Sequence, residues 1–186
     1  MLSKRPIVIA VSGVAGSGKT TITKELLKMN PCSEVLSFDE YDFPKCPSDF
    51  VMWVEQGANL EDWDLTPIRN DLNRHLLDHQ RNLDFIFLDY PFSRLHKEIG
   101  ELIDYTVFID TPLDIALARR IKRDIPKSVK DLMSELDNYL MRGRIAYLDM
   151  QSKHVGTDDI VIDGSLSIEE IVNTIISKIR EKPDEA

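Results

Sequence analysis

Residues 12 to 21 read SGVAGSGKTT and follow the apolar run PIVIAV. Gly13, Gly18, Lys19 and Thr20 satisfy the spacing G-x-x-x-x-G-K-[ST], the phosphate-loop pattern, and the strand-like run before it is the context that pattern needs. Glycines let backbone N–H groups converge on phosphate oxygens without side chains in the way. Gly13, Ala15, Gly16, Ser17, Gly18, Lys19, Thr20 and Thr21 therefore form the expected nucleotide cradle. A helix beginning near Lys19 adds its positive dipole end. Lys19 is expected to reach the β and γ phosphates and Thr20 to offer its hydroxyl to Mg²⁺.

Carboxylates and cations elsewhere could complete a phosphoryl-transfer site. Asp39, in SFDEYD, lies just past an apolar strand, where a carboxylate can take the proton of an attacking hydroxyl; a turn-capping aspartate is the bland alternative. Asp89 ends FIFLD, a position suited to Mg²⁺ or its water shell. Arg119 and Arg123 are four apart, so on a helix they share a face while Arg120 points elsewhere. Two guanidiniums on one face suit a lid that neutralises transition-state charge, against the alternative of a solvated face paired with Asp124. Arg142 and Arg144 are further lid candidates. Tyr41 and Trp63 are candidates for stacking on a substrate ring, with core packing as the alternative. Arg94 is a candidate for gripping an anionic substrate group. The four histidines form no cluster with metal-ligand spacing.

These residues need a frame. A chain of 186 residues with 42% hydrophobic and 30% charged residues suits a single α/β domain over residues 1–186. Continuous apolar runs at 6–12, 34–38, 84–89, 105–110 and 159–163 predict five strands covered on both faces, hence a doubly wound, mainly parallel sheet. The N-terminal run is too short for a secretion signal and feeds straight into the loop, so it is expected to stay as a strand. Intervening helices are predicted after the phosphate loop up to Asn30-Pro31, from N-caps at Thr66 and Thr111, and from a Ser167/Glu170 capping box over IEEIVNTIISKIR. The tail EKPDEA is expected to fray. Two stretches break the rhythm: an irregular region at 39–65, the expected acceptor-binding segment, and charged helices from 119 onward, with the lid expected at about 119–145.

A net charge of −9 argues against nucleic acid or an anionic membrane as partner. No run is long enough to span a bilayer. Two cysteines without motif spacing point to a reduced, cytoplasmic setting. Whether the chain is a monomer or a homo-oligomer is left open.

Taken together, these pieces make a chain that resembles the uridine kinase and phosphoribulokinase family of phosphate-loop kinases. SGVAGSGKTT, SFDEYD, DTPLDIALARRIKRD and LDNYLMRGRIAYLDMQSKHVGTDDIVID carry the resemblance in the family's order. It implies ATP as donor, Mg²⁺, Asp39 as general base, a lid at Arg119 to Arg123 and a central phosphate-loop strand. The implied reaction moves the γ-phosphate to a hydroxyl of a small molecule, a nucleoside or related metabolite. LNRHLLDHQRNLDFIFLD departs from the family by leaving no room for the nucleoside-binding hairpin before the third strand. A nucleotide-dependent regulatory ATPase or binding module with no acceptor is the competing reading. No asparagine is followed by lysine, so the guanine-reading N-K-x-D motif is missing.

Overall fold

In the computed structural model, residues 5–78, 80–154 and 156–181 are described. Five strands form one sheet: β1 (Ile7–Ser12), β2 (Ser33–Ser37), β3 (Phe85–Asp89), β4 (Tyr105–Asp110) and β5 (Ile160–Asp163). Their order is β2-β3-β1-β4-β5, with every pairing parallel. Each strand lies within a residue of its predicted bounds, because runs of β-branched and apolar residues have no favourable place except between two covered faces.

The helices are α1 (Lys19–Met29), α2 (Phe50–Glu55), α3 (Thr66–Leu77), α4 (Lys97–Gly100), α5 (Leu113–Arg123), α6 (Val129–Asn138), α7 (Arg144–His154) and α8 (Ile168–Glu181). Side chains alternate across β1, so Val8 and Ala10 face one layer and Ile9 and Val11 the other. The first layer packs Ile86 and Leu88 against Ile68 and Leu72 of α3, with Trp53 and Phe92. The second packs Phe87, Val107 and Ile109 against Ile22 and Leu26 of α1 and Ile171, Val172, Ile175 and Ile179 of α8. Helices thus cover both faces, as the sequence pattern requires.

Register positions the chemistry. Val11 pairs with Asp89, and Asp89 pairs with Ser37. Three chain segments therefore leave the sheet at one level: the phosphate loop, the turn carrying Asp39, and the segment after Asp89.

Local signals agree with the structure, with two corrections. Ser167 and Glu170 form the expected box, with Glu170 N–H donating to Ser167 Oγ at 3.2 Å and Ser167 N–H to Glu170 Oε2 at 3.0 Å. Thr66, however, is the first helical residue and Leu65 holds the N-cap position without a side-chain bond; the Thr66 N–H donates to Asp64 Oδ1 at 3.1 Å in the turn that leads into the helix. Thr111 caps nothing: its buried hydroxyl donates to Ser17 O at 2.9 Å, fastening β4 to the phosphate loop. The charged region after Arg119 is three helical pieces, with a π-helical turn at Tyr139–Gly143 between α6 and α7. Of the tail expected to fray, residues 182–186 lie outside the described residues.

His75, buried on α3, has Nδ1 3.0 Å from Nη1 of Arg81, which donates to it. Burial holds its pKa below 6.5, against the opposing pull of Glu34. The unfolded chain takes up that proton first, so stability falls as pH drops through 6.5. Thermal midpoints measured from about pH 7.5 to about pH 5.5 should fall less steeply for His75→Asn than for the wild type. An unchanged slope would show that His75 contributes nothing to acid sensitivity.

Candidate active site

The turn from β1 into α1 depends on backbone freedom. Gly16 has φ +85° and Gly18 φ +106°, both left-handed. A Cβ on Gly16 would also strike the carbonyl oxygen of Ala116, because α5 packs directly against the loop. Ser17 lies behind the loop, buried, and its carbonyl accepts from Thr111 Oγ1 and from Nη1 of Arg119 at 3.4 Å. The same Arg119 Nη1 donates to Gly164 O at 2.9 Å, so the loop is braced from β4, α5 and the segment after β5.

Lys19 opens α1. Its ammonium donates to the carbonyls of Gly13 at 2.9 Å and Val14 at 3.4 Å. Burial lowers its pKa, while Asp89 and then Asp39 pull it back up. Thr20 Oγ1 donates to Asp89 Oδ2 at 2.5 Å. Burial raises the Asp89 pKa, and the Thr20 bond and the Lys19 charge oppose the rise. A hydroxyl and a carboxylate side by side are hard oxygen donors of the kind Mg²⁺ takes alongside phosphate and water. Among the described residues no group of three or more His, Cys, Asp or Glu could hold a metal by itself.

All this lines one cleft of about 790 Å³. Gly13, Ala15, Gly16, Gly18, Lys19, Thr20 and Thr21 form its floor, and Asp39, Asp89, Arg119 and Arg123 are brought to it. Asp39 is exposed, and its charge acts on both Lys19 and Arg123. Arg123 holds Asp124 at 2.7 Å, the pairing expected of a solvated face, yet still borders the cleft.

Arg120 is a correction: its i+1 offset pointed away, but it lines the cleft as well. It pairs with Glu135 at 3.1 Å, donates to Tyr147 Oη at 2.8 Å and lies about 6 Å from the Tyr139 and Tyr147 ring centres. Helices α6 and α7 fold back over it, a long-range event with no local signal. Tyr147 and Met150 enter the cleft wall for the same reason.

Five candidates are not brought there. Tyr41 donates to Asp71 Oδ2 at 3.1 Å and stacks on Phe43. Trp63 packs among Phe38, Phe43, Trp53 and Phe92. Arg94 is committed to Asp159 at 2.6 Å and to the carbonyls of Ile103 and Asp104, a brace between the segment after β3 and strands β4 and β5. Arg142 grips Glu55 at 3.1 and 2.9 Å, tying the π-helical turn to α2. Arg144 is exposed and does not line the cleft.

Known proteins share this arrangement to different extents. The profile of the viral superfamily 1 RNA helicase core domain matches residues 9–65, under half of the chain and the stretch that contains the phosphate loop. A uridine kinase of Borrelia garinii subsp. bavariensis is 31% identical over 163 residues, covering 75% of this chain and 78% of that protein. The chain belongs to the uridine kinase family. A uridine kinase of Clostridium tetani aligns over 97% of both chains at 25% identity, and uridine-cytidine kinase B of Dictyostelium discoideum over 97% of this chain and 85% of its own at 27%. This family member is accordingly a phosphate-loop kinase of small molecules. Its fold matches that of a deoxyadenosine kinase from M. mycoides with bound dATP, at TM-score 0.54 and 16% identity over 94% of this chain and 100% of that one.

Since the Ala116 carbonyl leaves no room at position 16, Gly16→Ala should cost about 1–3 kcal/mol of stability. A denaturant midpoint equal to the wild type would show that the loop can shift away from α5.

Proposed function

We propose that this kinase transfers the γ-phosphoryl group of ATP, as its magnesium complex, to a hydroxyl of a nucleoside, with uridine the first candidate. One observation carries the reading: Asp39 shares a cleft with Lys19, Thr20, Asp89 and a set of arginines, and is exposed there. A regulatory ATPase has no use for a carboxylate aimed at an acceptor. The kinship with uridine and uridine-cytidine kinases supplies the nucleoside.

In this reading the amides of the loop and the N-terminus of α1 bind the β and γ phosphates. Lys19 exchanges the Gly13 and Val14 carbonyls for phosphate oxygens. Thr20 and Asp89 hold Mg²⁺, which neutralises phosphate charge when bound. Asp39 accepts the proton of the acceptor hydroxyl as its oxygen bonds to the γ-phosphorus. The bond from that phosphorus to the bridging oxygen breaks, and ADP leaves with the electron pair. Arg119 and Arg123 offset the charge that gathers on the transferring group. The helices at about 119–145 act as the lid, excluding the water that would compete as nucleophile, and residues 39–65 serve the acceptor. The two exposed thiols, Cys32 and Cys46, favour a reducing, cytoplasmic setting.

ATP consumption should rise far above the water-only rate with one member of a nucleoside panel, and no stimulation by any acceptor would favour the regulatory reading. Asp39→Asn should lower kcat by about a hundredfold or more while nucleotide still binds, as for a lost general base; unchanged turnover would remove Asp39 from the mechanism. Lys19→Ala should weaken nucleotide binding and rate together, measured by titration and steady-state kinetics.

A further inference from the structure

A second hollow of about 230 Å³ adjoins the phosphate cleft, and the two share the side chains of Phe50, Pro91 and Met150. Phe50, Trp53 and Val54 come from one face of α2, and Met150, Lys153 and His154 from one face of α7, at the i, i+3 and i+4 spacings that put side chains together. Phe92 adds a third aromatic ring. The chamber is mostly apolar, and its polar groups sit on α7: His154, Lys153 and Asp149, the last two paired at 2.8 Å.

His154 is held far more firmly than a helix-end residue needs to be. It is 1% exposed, and its ring stacks on Phe108 with centroids 4.5 Å apart and planes 14° from parallel. Its Nδ1 lies 2.7 Å from Oδ2 of Asp158, whose side chain is fully buried. The other Asp158 oxygen accepts from Ser93 Oγ at 2.5 Å. With Nδ1–H committed to a carboxylate, the neutral ring carries its lone pair on Nε2. Among the described residues Nε2 has no hydrogen bond, on a ring that borders the chamber.

We propose that this chamber holds the base of the nucleoside acceptor and that His154 Nε2 reads its edge, accepting a hydrogen bond from a ring N–H or exocyclic amino group. The inference rests on the nucleoside-kinase reading above and deepens it. Phe50, Trp53 and Phe92 supply faces for a flat ring. The Ser93–Asp158–His154 chain fixes the tautomer, so the chamber favours a base that donates at that edge, as uridine does through N3–H, over one whose edge is blocked. His154 is a specificity residue in this account; Asp158 and Ser93 position it.

The test uses ATP with uridine and with 3-methyluridine, in which the N3 proton is replaced by a methyl group. The wild type should prefer uridine by about tenfold or more in kcat/KM, as expected when a buried polar atom is left unpaired. His154→Asn keeps an amide N–H near the place of Nδ1 for Asp158 and lacks Nε2, and should shrink the preference to about threefold or less. Val54→Trp fills the chamber from α2 and should raise the uridine KM about tenfold while the ATP KM changes by less than about twofold.

A preference that survives in His154→Asn, or one absent from the wild type, overturns the inference and leaves the kinase reading standing. If His154→Asn fails to fold, an unchanged uridine KM in Val54→Trp overturns it equally. Failure of the wild type to turn over uridine while binding ATP removes this inference, and failure on every member of the nucleoside panel removes the nucleoside reading as well.

Discussion

Parallel pairing of β2, β3 and β1 is the constraint that creates the site. Because Ser37, Asp89 and Val11 stand side by side, the three segments that leave the sheet there emerge at one edge. Slipping any of these strands by two residues along its neighbour would preserve which side chains face the core. It would also carry Asp39 or Asp89 about 7 Å from the loop, beyond hydrogen-bond reach. The chemistry therefore depends on register, and register on the interlocking of Val8, Ile86 and Leu36 on one face with Ile9 and Phe87 on the other.

Electrostatics at this edge are arranged against the protein's own charge. In a chain of net charge −9, a buried ammonium feels the charges of two carboxylates, Asp89 and Asp39, and arginines line the same cleft. Desolvating Lys19 is unfavourable, and the Gly13 and Val14 carbonyls together with Asp89 offset part of that cost. The cradle is kept open by contacts behind it: Thr111 and Arg119 both hold the Ser17 carbonyl. Those contacts explain how amides can be aimed at a ligand before the ligand arrives.

The sequence disclosed the framework and the phosphate-loop end of the cleft because both are written in local patterns. Apolar runs marked the five strands, and the G-x-x-x-x-G-K-T spacing with strand-end aspartates located Lys19, Thr20, Asp39 and Asp89. The rest is written in contacts between distant residues. Arg94 finds Asp159 and Tyr41 finds Asp71, 65 and 30 positions away, and each partner draws the side chain from the cleft. Trp63 offers the same composition whether it packs or stacks on substrate, and only the surrounding rings decide. Arg120, Tyr147 and His154 acquire their places when α6 and α7 fold back, which no local spacing encodes.

The π-helical turn at Tyr139–Gly143 bears on how this region could change over time. Such a turn widens an α-helix by one residue and so sets the rotational phase of the helix beyond it. Removing a single residue there would turn α7 by about 100° about its axis. Tyr147, Met150 and His154 would then swing out of both hollows at once, with no substitution in either. A one-codon deletion far from the phosphate loop would thus reshape both hollows wholesale, which makes the length of this turn, as much as its composition, a heritable determinant of their form.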